Sequence, residues 1–205
     1  MTEVPRFTEL QFEERAHAYL LNGVAVPSVT TVMKPLSESW YGGLGVDAGT
    51  LDRAARRGTA VHNAIENRLA FGIDDIPPEY AGYYSAYKSW ESEARPEVYG
   101  SESRVYHRAL RYAGTVDMAC AIGGVAYCVD FKTSSQLIEM LCRVQTEAYC
   151  RALASHGFEC GRKAIVHLKK DGRWAMEEYA APDTEAFGVF CGLLSVHNYK
   201  SKYGR

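Results

Sequence analysis

Two aspartates and a lysine stand close together in the middle of this 205-residue chain. Ala113-Gly114-Thr115-Val116-Asp117 leads to a glycine pair, Gly123-Gly124, and then to Cys128-Val129-Asp130-Phe131-Lys132. The pattern predicts two strands of a hairpin. Asp130 and Lys132 are two positions apart, which in a strand puts both side chains on one face. Acids that share a site can hold a divalent cation, and a lysine beside them can stabilise charge or position a water. The set suits metal-dependent attack on a phosphodiester. Taken alone, Asp130 with Lys132 is equally a same-face ion pair on an exposed strand. Asp117 alone is equally a solvated edge residue or a carboxylate paired with a base.

Other residues weigh against that plainer reading. In Arg57-Gly58-Thr59-Ala60-Val61-His62-Asn63-Ala64-Ile65-Glu66, His62 and Glu66 are four apart, on one face of a helix. A neutral imidazole is a common metal ligand. Gln145 and Tyr149 are also four apart, in the helix expected after the lysine strand, and both can hydrogen-bond a phosphate or a base.

The elements that must position these residues follow from periodicity and turn signals. Asn22-Gly23 predicts a hairpin between Ala18-Leu21 and Val24-Val26. Ser28 or Thr30 caps a short helix expected to end before Pro35, and residues 36–50 read as loop. A helix is expected from Leu51 to Phe71, with Gly58 marking a close approach, and a tyrosine-rich helix from Tyr80 to Ala94. Strands follow over Glu102-Leu110, Tyr112-Ile122 and Val125-Thr133, then a helix from Gln136 to Ser155. A second hairpin is expected over Lys163-Lys169 and Trp174-Tyr179, then a helix capped by Asp183 that runs to Tyr199. The order is a mixed α/β (α+β) pattern with sequential hairpins.

Composition sets outer bounds. An apolar share of 47% and a charged share of 23% are ordinary for a globular protein. A formal net charge of -2 argues against a broad basic surface for coating DNA, but leaves room for a local basic groove. The six cysteines, Cys120, Cys128, Cys142, Cys150, Cys160 and Cys191, include no CxxC pair and read as reduced thiols of a cytosolic protein. No signal peptide opens the chain, and no apolar run approaches the ~20 residues that span a bilayer.

Taken in order, Gly58-Thr59-Ala60-Val61-His62, Gly114-Thr115-Val116-Asp117, Asp130-Phe131-Lys132 and Gln145-Thr146-Glu147-Ala148-Tyr149 resemble the RecB-like branch of the PD-(D/E)XK nuclease superfamily. His17-Ala18-Tyr19 through Pro27-Ser28-Val29-Thr30 is similar to the start of small phage and mitochondrial genome maintenance exonucleases of that branch. The resemblance covers about residues 17 to 150. It implies a restriction-endonuclease-like core, with a central mixed sheet flanked by helices. One nuclease domain is expected over 1–205: an N-terminal extension to residue 50, a core over 51–180 and a C-terminal helix over 181–205.

The resemblance also implies roles. Asp117 and Asp130 become metal ligands, joined by His62, the carbonyl of Phe131 and, less constantly, Glu102. Lys132 becomes the catalytic lysine, and Glu66 supports His62. Gln145 and Tyr149 support the site and contact DNA. The cofactor is Mg2+ or Mn2+, and the expected reaction is DNA hydrolysis. An exonuclease of phage or prophage recombination, replication or repair is the first expectation. A structure-specific or nicking endonuclease is the second, and a catalytically idle DNA-binding module is the alternative of another class. Some members of the branch hold an iron-sulfur cluster through a cysteine ahead of the core. Here no cysteine precedes Cys120, so none is expected.

Further DNA contacts are expected from Arg53, Arg56 and Arg57, from Thr59, and from the hydroxyls of Ser28 and Thr30. Tyr80, Tyr83, Tyr84, Tyr87 and Trp90 either stack bases from a frayed end or pack their helix on the core. The expected partners are single-stranded DNA or a duplex end and a recombination or single-strand-binding protein, with no membrane. The expected location is the cytoplasm of a bacterium or a phage-infected host.

Overall fold

The computed structural model describes residues 3–42 and 48–204. Its N-terminal part is a three-stranded antiparallel sheet of β1 (Leu10–Glu13), β2 (Ala18–Leu21) and β3 (Val24–Val26). Asn22 and Gly23 join β2 to β3 with left-handed backbone angles, φ 52° and 75°, as an Asn-Gly hairpin turn requires.

Ser28 caps α1 (Val29–Gly42), accepting a hydrogen bond from the Thr31 amide at 3.0 Å. The sequence predicts an end before Pro35, yet the helix runs through it. Proline lacks one amide donor and disturbs the turn before it. Here Val29, Val32 and Met33 are buried ahead of it, and Leu36 packs on the same core just beyond, so packing offsets the lost bond. The loop expected over 36–50 is therefore helical at both ends, and its residues 43–47 lie outside the described part. α2 (Ala48–Phe71) contains Gly58, but a Cβ there would meet nothing within 4 Å. The close approach expected at Gly58 is absent among the described residues.

A single 3-10 turn at Pro78–Tyr80 opens α3 (Ala81–Ala94). Tyr84, Tyr87 and Trp90 are buried on this helix, so those three pack the core and cannot form a base-stacking platform. Then come β4 (Glu97–Tyr106), which starts earlier than its sequence signal, β5 (Ala113–Ile122) and β6 (Val125–Lys132). α4 (Glu139–Ala154), β7 (Arg162–Leu168), β8 (Trp174–Ala180) and α5 (Thr184–Tyr203) complete the order. Asp183 caps α5 by accepting from the Ala186 amide at 3.1 Å, as expected.

The second sheet has strand order β4-β5-β6-β7-β8. β6 and β7 are parallel, joined by α4 as the crossover; the other neighbours are antiparallel. On one face Val116, Ala119 and Cys128 pack with α1, α4 and α5, and on the other Met118, Val129, Phe131, Ala164 and Val166 pack with α2 and α3. A mixed five-stranded sheet between helical layers is a restriction-endonuclease-like core. No helix among the described residues is long and apolar enough to cross a membrane.

Candidate active site

The site lies where strand pairing fails. β5 and β6 pair from Ile122 with Val125 as far as Met118 with Val129. Beyond that pair β5 extends back to Ala113 and β6 on to Lys132, with no further ladder between them. Asp117 and Asp130 are the first residues past the fork. The Asp117 carboxylate takes over for the missing ladder bond, accepting the Phe131 amide on Oδ2 at 2.8 Å. The Phe131 ring sits edge-on to Tyr87 and Trp90, at 5.4 Å and 5.3 Å between centroids, which fixes the backbone on which the site depends.

On the other side of Asp117, the pairs Ser101 with Met118 and Ser103 with Val116 bracket Glu102. Glu102 therefore stands opposite Asp117, and its φ of 44° is left-handed in mid-strand. Such a conformation costs a non-glycine residue on the order of 1–3 kcal/mol, and it gathers at functional sites. His62 arrives from α2. Its Nδ1 lies 3.1 Å from Glu102 Oε1 and 3.6 Å from Asp117 Oδ1, and its Nε2 lies 3.1 Å from the Phe131 carbonyl. Burial alone would lower the His62 pKa, but the Asp117 charge and the Glu102 hydrogen bond outweigh it and raise it to about 9. Nδ1 thus faces the two carboxylates and Nε2 the Phe131 carbonyl.

Asp130 is almost wholly buried, and burial, helped by the Asp117 charge and opposed by Lys132, raises its pKa to about 6. Burial likewise raises that of Asp117. Lys132 Nζ donates to Asp130 Oδ1 at 3.0 Å and to Gln145 Oε1 at 3.2 Å. Burial opposes the lysine's charge, but Asp130 and Asp117 overcome it and hold Lys132 as an ammonium. Gln145 Nε2 donates in turn to Tyr149 Oη at 3.2 Å. Lys132 Nζ also lies 2.8 Å from Asp130 Oδ2, so the ammonium sits against both oxygens of the carboxylate.

These residues fit a divalent cation. One ligand atom each from His62, Glu102 and Asp117 falls within 4.8 Å of the others. The donors are carboxylates plus one imidazole, a set suited to Mg2+ or Mn2+. Asp130 stands outside the tight trio, held by Lys132. The Phe131 carbonyl faces the ring nitrogen of His62 that points away from the carboxylates.

The expected DNA contacts differ among themselves. Arg57 donates to Thr133 Oγ1 at 3.2 Å and lies over the Tyr83 ring at 5.2 Å, which holds it one residue from Lys132. Neither of those two supports was legible as such; only the position of Thr133 directly after Lys132 hinted at it. Arg53 bonds Thr50, Arg56 pairs with Asp52, and both are exposed on α2, as is Thr59. The Ser28 hydroxyl is engaged with Thr30 and Thr31 in capping α1, while Thr30 itself is exposed. Glu66 is exposed and makes no described hydrogen bond to His62. It lines, with Glu102, Arg6 and Arg104, a cleft of about 630 Å³ that reaches the site.

No protein-family profile and no curated protein matches this chain. Among solved structures, SSO0001 is similar with a TM-score of 0.47 at 16% identity, over 86% of this chain and 80% of that one. An alkaline exonuclease from Laribacter hongkongensis, LHK-Exo, is similar with a TM-score of 0.42 at 9% identity, over 75% and 80%. The same enzyme in complex with dAMP gives 0.40 at 10%, over 85% and 87%. Likenesses this loose carry no argument about chemistry, which has to come from the side chains.

Proposed function

We propose that the chain is a metal-dependent DNA nuclease whose centre is His62, Glu102, Asp117, Asp130 and Lys132. The observation that carries this reading is the meeting of two arrangements at one fork in the sheet. One is a cation-sized trio of ligands. The other is a charged lysine held by Asp130 and Gln145. A surface ion pair would need neither a buried Asp130 nor the strained Glu102.

Bound Mg2+ or Mn2+ would supply Lewis-acid polarisation of the scissile phosphate. The chain's own groups do the rest. Asp117 and Glu102 set negative charge beside Nδ1 of His62, and Asp117 also fixes the Phe131 backbone. Lys132 is held charged, so it stabilises negative charge growing on the phosphoryl group rather than acting as a base. Gln145 orients the ammonium and Tyr149 orients Gln145. Arg57, held by Thr133 and Tyr83, is placed to take a neighbouring phosphate. The choice of an exonuclease acting at a DNA end, in phage or prophage recombination, replication or repair, rests on the motif resemblance alone.

End-labelled single-stranded, duplex and covalently closed circular DNA, incubated with Mg2+ or Mn2+, would test this. Wild type should release short products from linear DNA and leave closed circles intact. Asp130→Ala and Lys132→Ala should be inactive while still folded. Equal inactivity of all three proteins on every substrate would sink the nuclease reading. Cleavage of closed circles would turn it to the endonuclease.

A further inference from the structure

α5 buries only one side. Ala186, Phe190 and Leu194 enter the core beside α1 and α4. The opposite side shows Val189, Val196, Tyr199 and Tyr203 at 43%, 50%, 68% and 60% exposure. With Glu185 and Gly192 these positions step along the helix by four, three, four, three and four residues. That is the alternation of a coiled-coil seam, which keeps one stripe facing one partner helix. No described element covers it. Gly188 and Gly192, with open space where a Cβ would be, let another backbone come close at the centre of the stripe.

We infer that α5 is the contact between two copies of this chain, packed antiparallel about a twofold axis that passes between Gly192 and Val196. The helix carries Glu185 in its first turn, bonded to Arg143 of α4 at 3.0 Å with its side chain still 80% exposed, and Lys200 and Lys202 in its last. In an antiparallel pair the acidic end of each helix meets the basic end of the other, and the helix dipoles oppose each other favourably. A parallel pair would set the lysines against their own copies. The antiparallel order also matches sizes. Val196 enters the space left by Gly192 of the second copy, and Tyr199 covers Val189. The same patch serves both partners, as a twofold contact requires. A 20-residue helix is ~30 Å long, so the contact falls at the small end of specific interfaces and should dissociate on dilution. The stripe lies on the side of α5 away from α4, which carries Gln145 and Tyr149, so pairing leaves the site open. This inference does not depend on the nuclease reading.

Sedimentation velocity on the full chain over a wide concentration range tests it. Wild type should move reversibly from monomer to dimer, and Val196→Glu should stay monomeric with an unchanged melting temperature. Glu185→Lys, whose melting temperature is followed because it also breaks the bond to Arg143, and the pair Lys200→Glu with Lys202→Glu should each weaken the dimer at low salt. All three changes in one chain should restore it, because only an antiparallel pair brings these positions together. A wild type that stays monomeric throughout overturns the inference. So does a dimer indifferent to Val196→Glu, and so does failure of the combined charge reversal to restore pairing. In the first case the stripe is either bare or meant for another protein.

Discussion

Gly114 lies against the ring of Tyr149, so closely that a Cβ on the glycine would fall 2.6 Å from Tyr149 Cε1. Two motifs that look independent in the sequence are therefore interlocked. The glycine admits the tyrosine, the tyrosine accepts from Gln145, and Gln145 holds Lys132. Gly114→Ala should push the Tyr149 ring outward and loosen the lysine without touching any ligand. The expected result is a loss of turnover of about a hundredfold, the scale of a 1 Å misplacement. Overpacking should also cost about 1–3 kcal/mol of stability. Single-turnover kinetics beside thermal melting would separate the two. Full activity in a folded Gly114→Ala protein would show that Tyr149 does not position the lysine.

Glu102 offers a different separation, between backbone strain and chemistry. Its φ of 44° suits glycine better than any L side chain. Glu102→Gly should therefore be more stable than Glu102→Ala by about 1 kcal/mol, although neither retains the carboxylate. If the trio holds the cation, Mn2+ should raise the melting temperature of the wild type and of neither variant. Melting curves of the three proteins, with and without Mn2+, read both effects. Equal stability of the Gly and Ala variants would mean that the chain relaxes out of the left-handed conformation at no cost.

Behind the site, Lys163 is fully buried and gives its three N–H groups to Glu147 at 2.9 Å, Asp183 at 3.1 Å and the Arg143 carbonyl at 3.2 Å. This network pins the α5 cap to α4 and β7. Burial would raise the Asp183 pKa, but Arg143, the Ala186 amide and Lys163 outweigh it and hold it well below the usual carboxylate range. A depressed acid contributes stability that is present above its unfolded value of about 4 and is lost as pH falls toward its folded value. Wild type should thus lose stability steeply below about pH 4. Asp183→Asn should cost about 1–3 kcal/mol at neutral pH, because Lys163 and Arg143 lose one charged partner each while Lys163 keeps Glu147 and Arg143 keeps Glu185. The gap between variant and wild type should narrow as the pH falls. Denaturant unfolding at several pH values would show it; a gap independent of pH would mean that the Asp183 charge is not what the variant loses.

How much of this could be read from the chain depended on whether local or distant contacts decide. The hairpins at Asn22-Gly23 and Gly123-Gly124 and the Asp183 cap are local chemistry, and they were legible. So was the grouping of Asp117, Asp130 and Lys132 with His62, through motif order. Pro35 misled, because the buried Val29, Val32 and Met33 that anchor α1 ahead of it act through the tertiary core. Glu102 was a marginal ligand in sequence, since nothing local reveals that it stands opposite Asp117 in a left-handed conformation. Whether Tyr84, Tyr87 and Trp90 stack bases or pack the core stayed open in the sequence for the same reason: an exposed and a buried aromatic stripe have the same spacing, and the structure packs them.

Gly58 is the case where sequence and structure pull apart most usefully. A glycine inside α2 costs about 1 kcal/mol relative to alanine, and a Cβ there would meet nothing within 4 Å. Packing within the described chain therefore gives no reason for it. Gly58→Ala should raise stability by up to about 1 kcal/mol, read from the denaturation midpoint. If the bare backbone beside Arg57 and Thr59 serves the DNA strand, the same change should weaken DNA binding while leaving turnover at saturating DNA intact. A more stable protein with a higher KM and unchanged kcat would place the nucleic acid against this turn of α2. A more stable protein with wild-type KM would leave the glycine without a role in substrate binding, and would move the DNA path to the opposite side of the fork between β5 and β6.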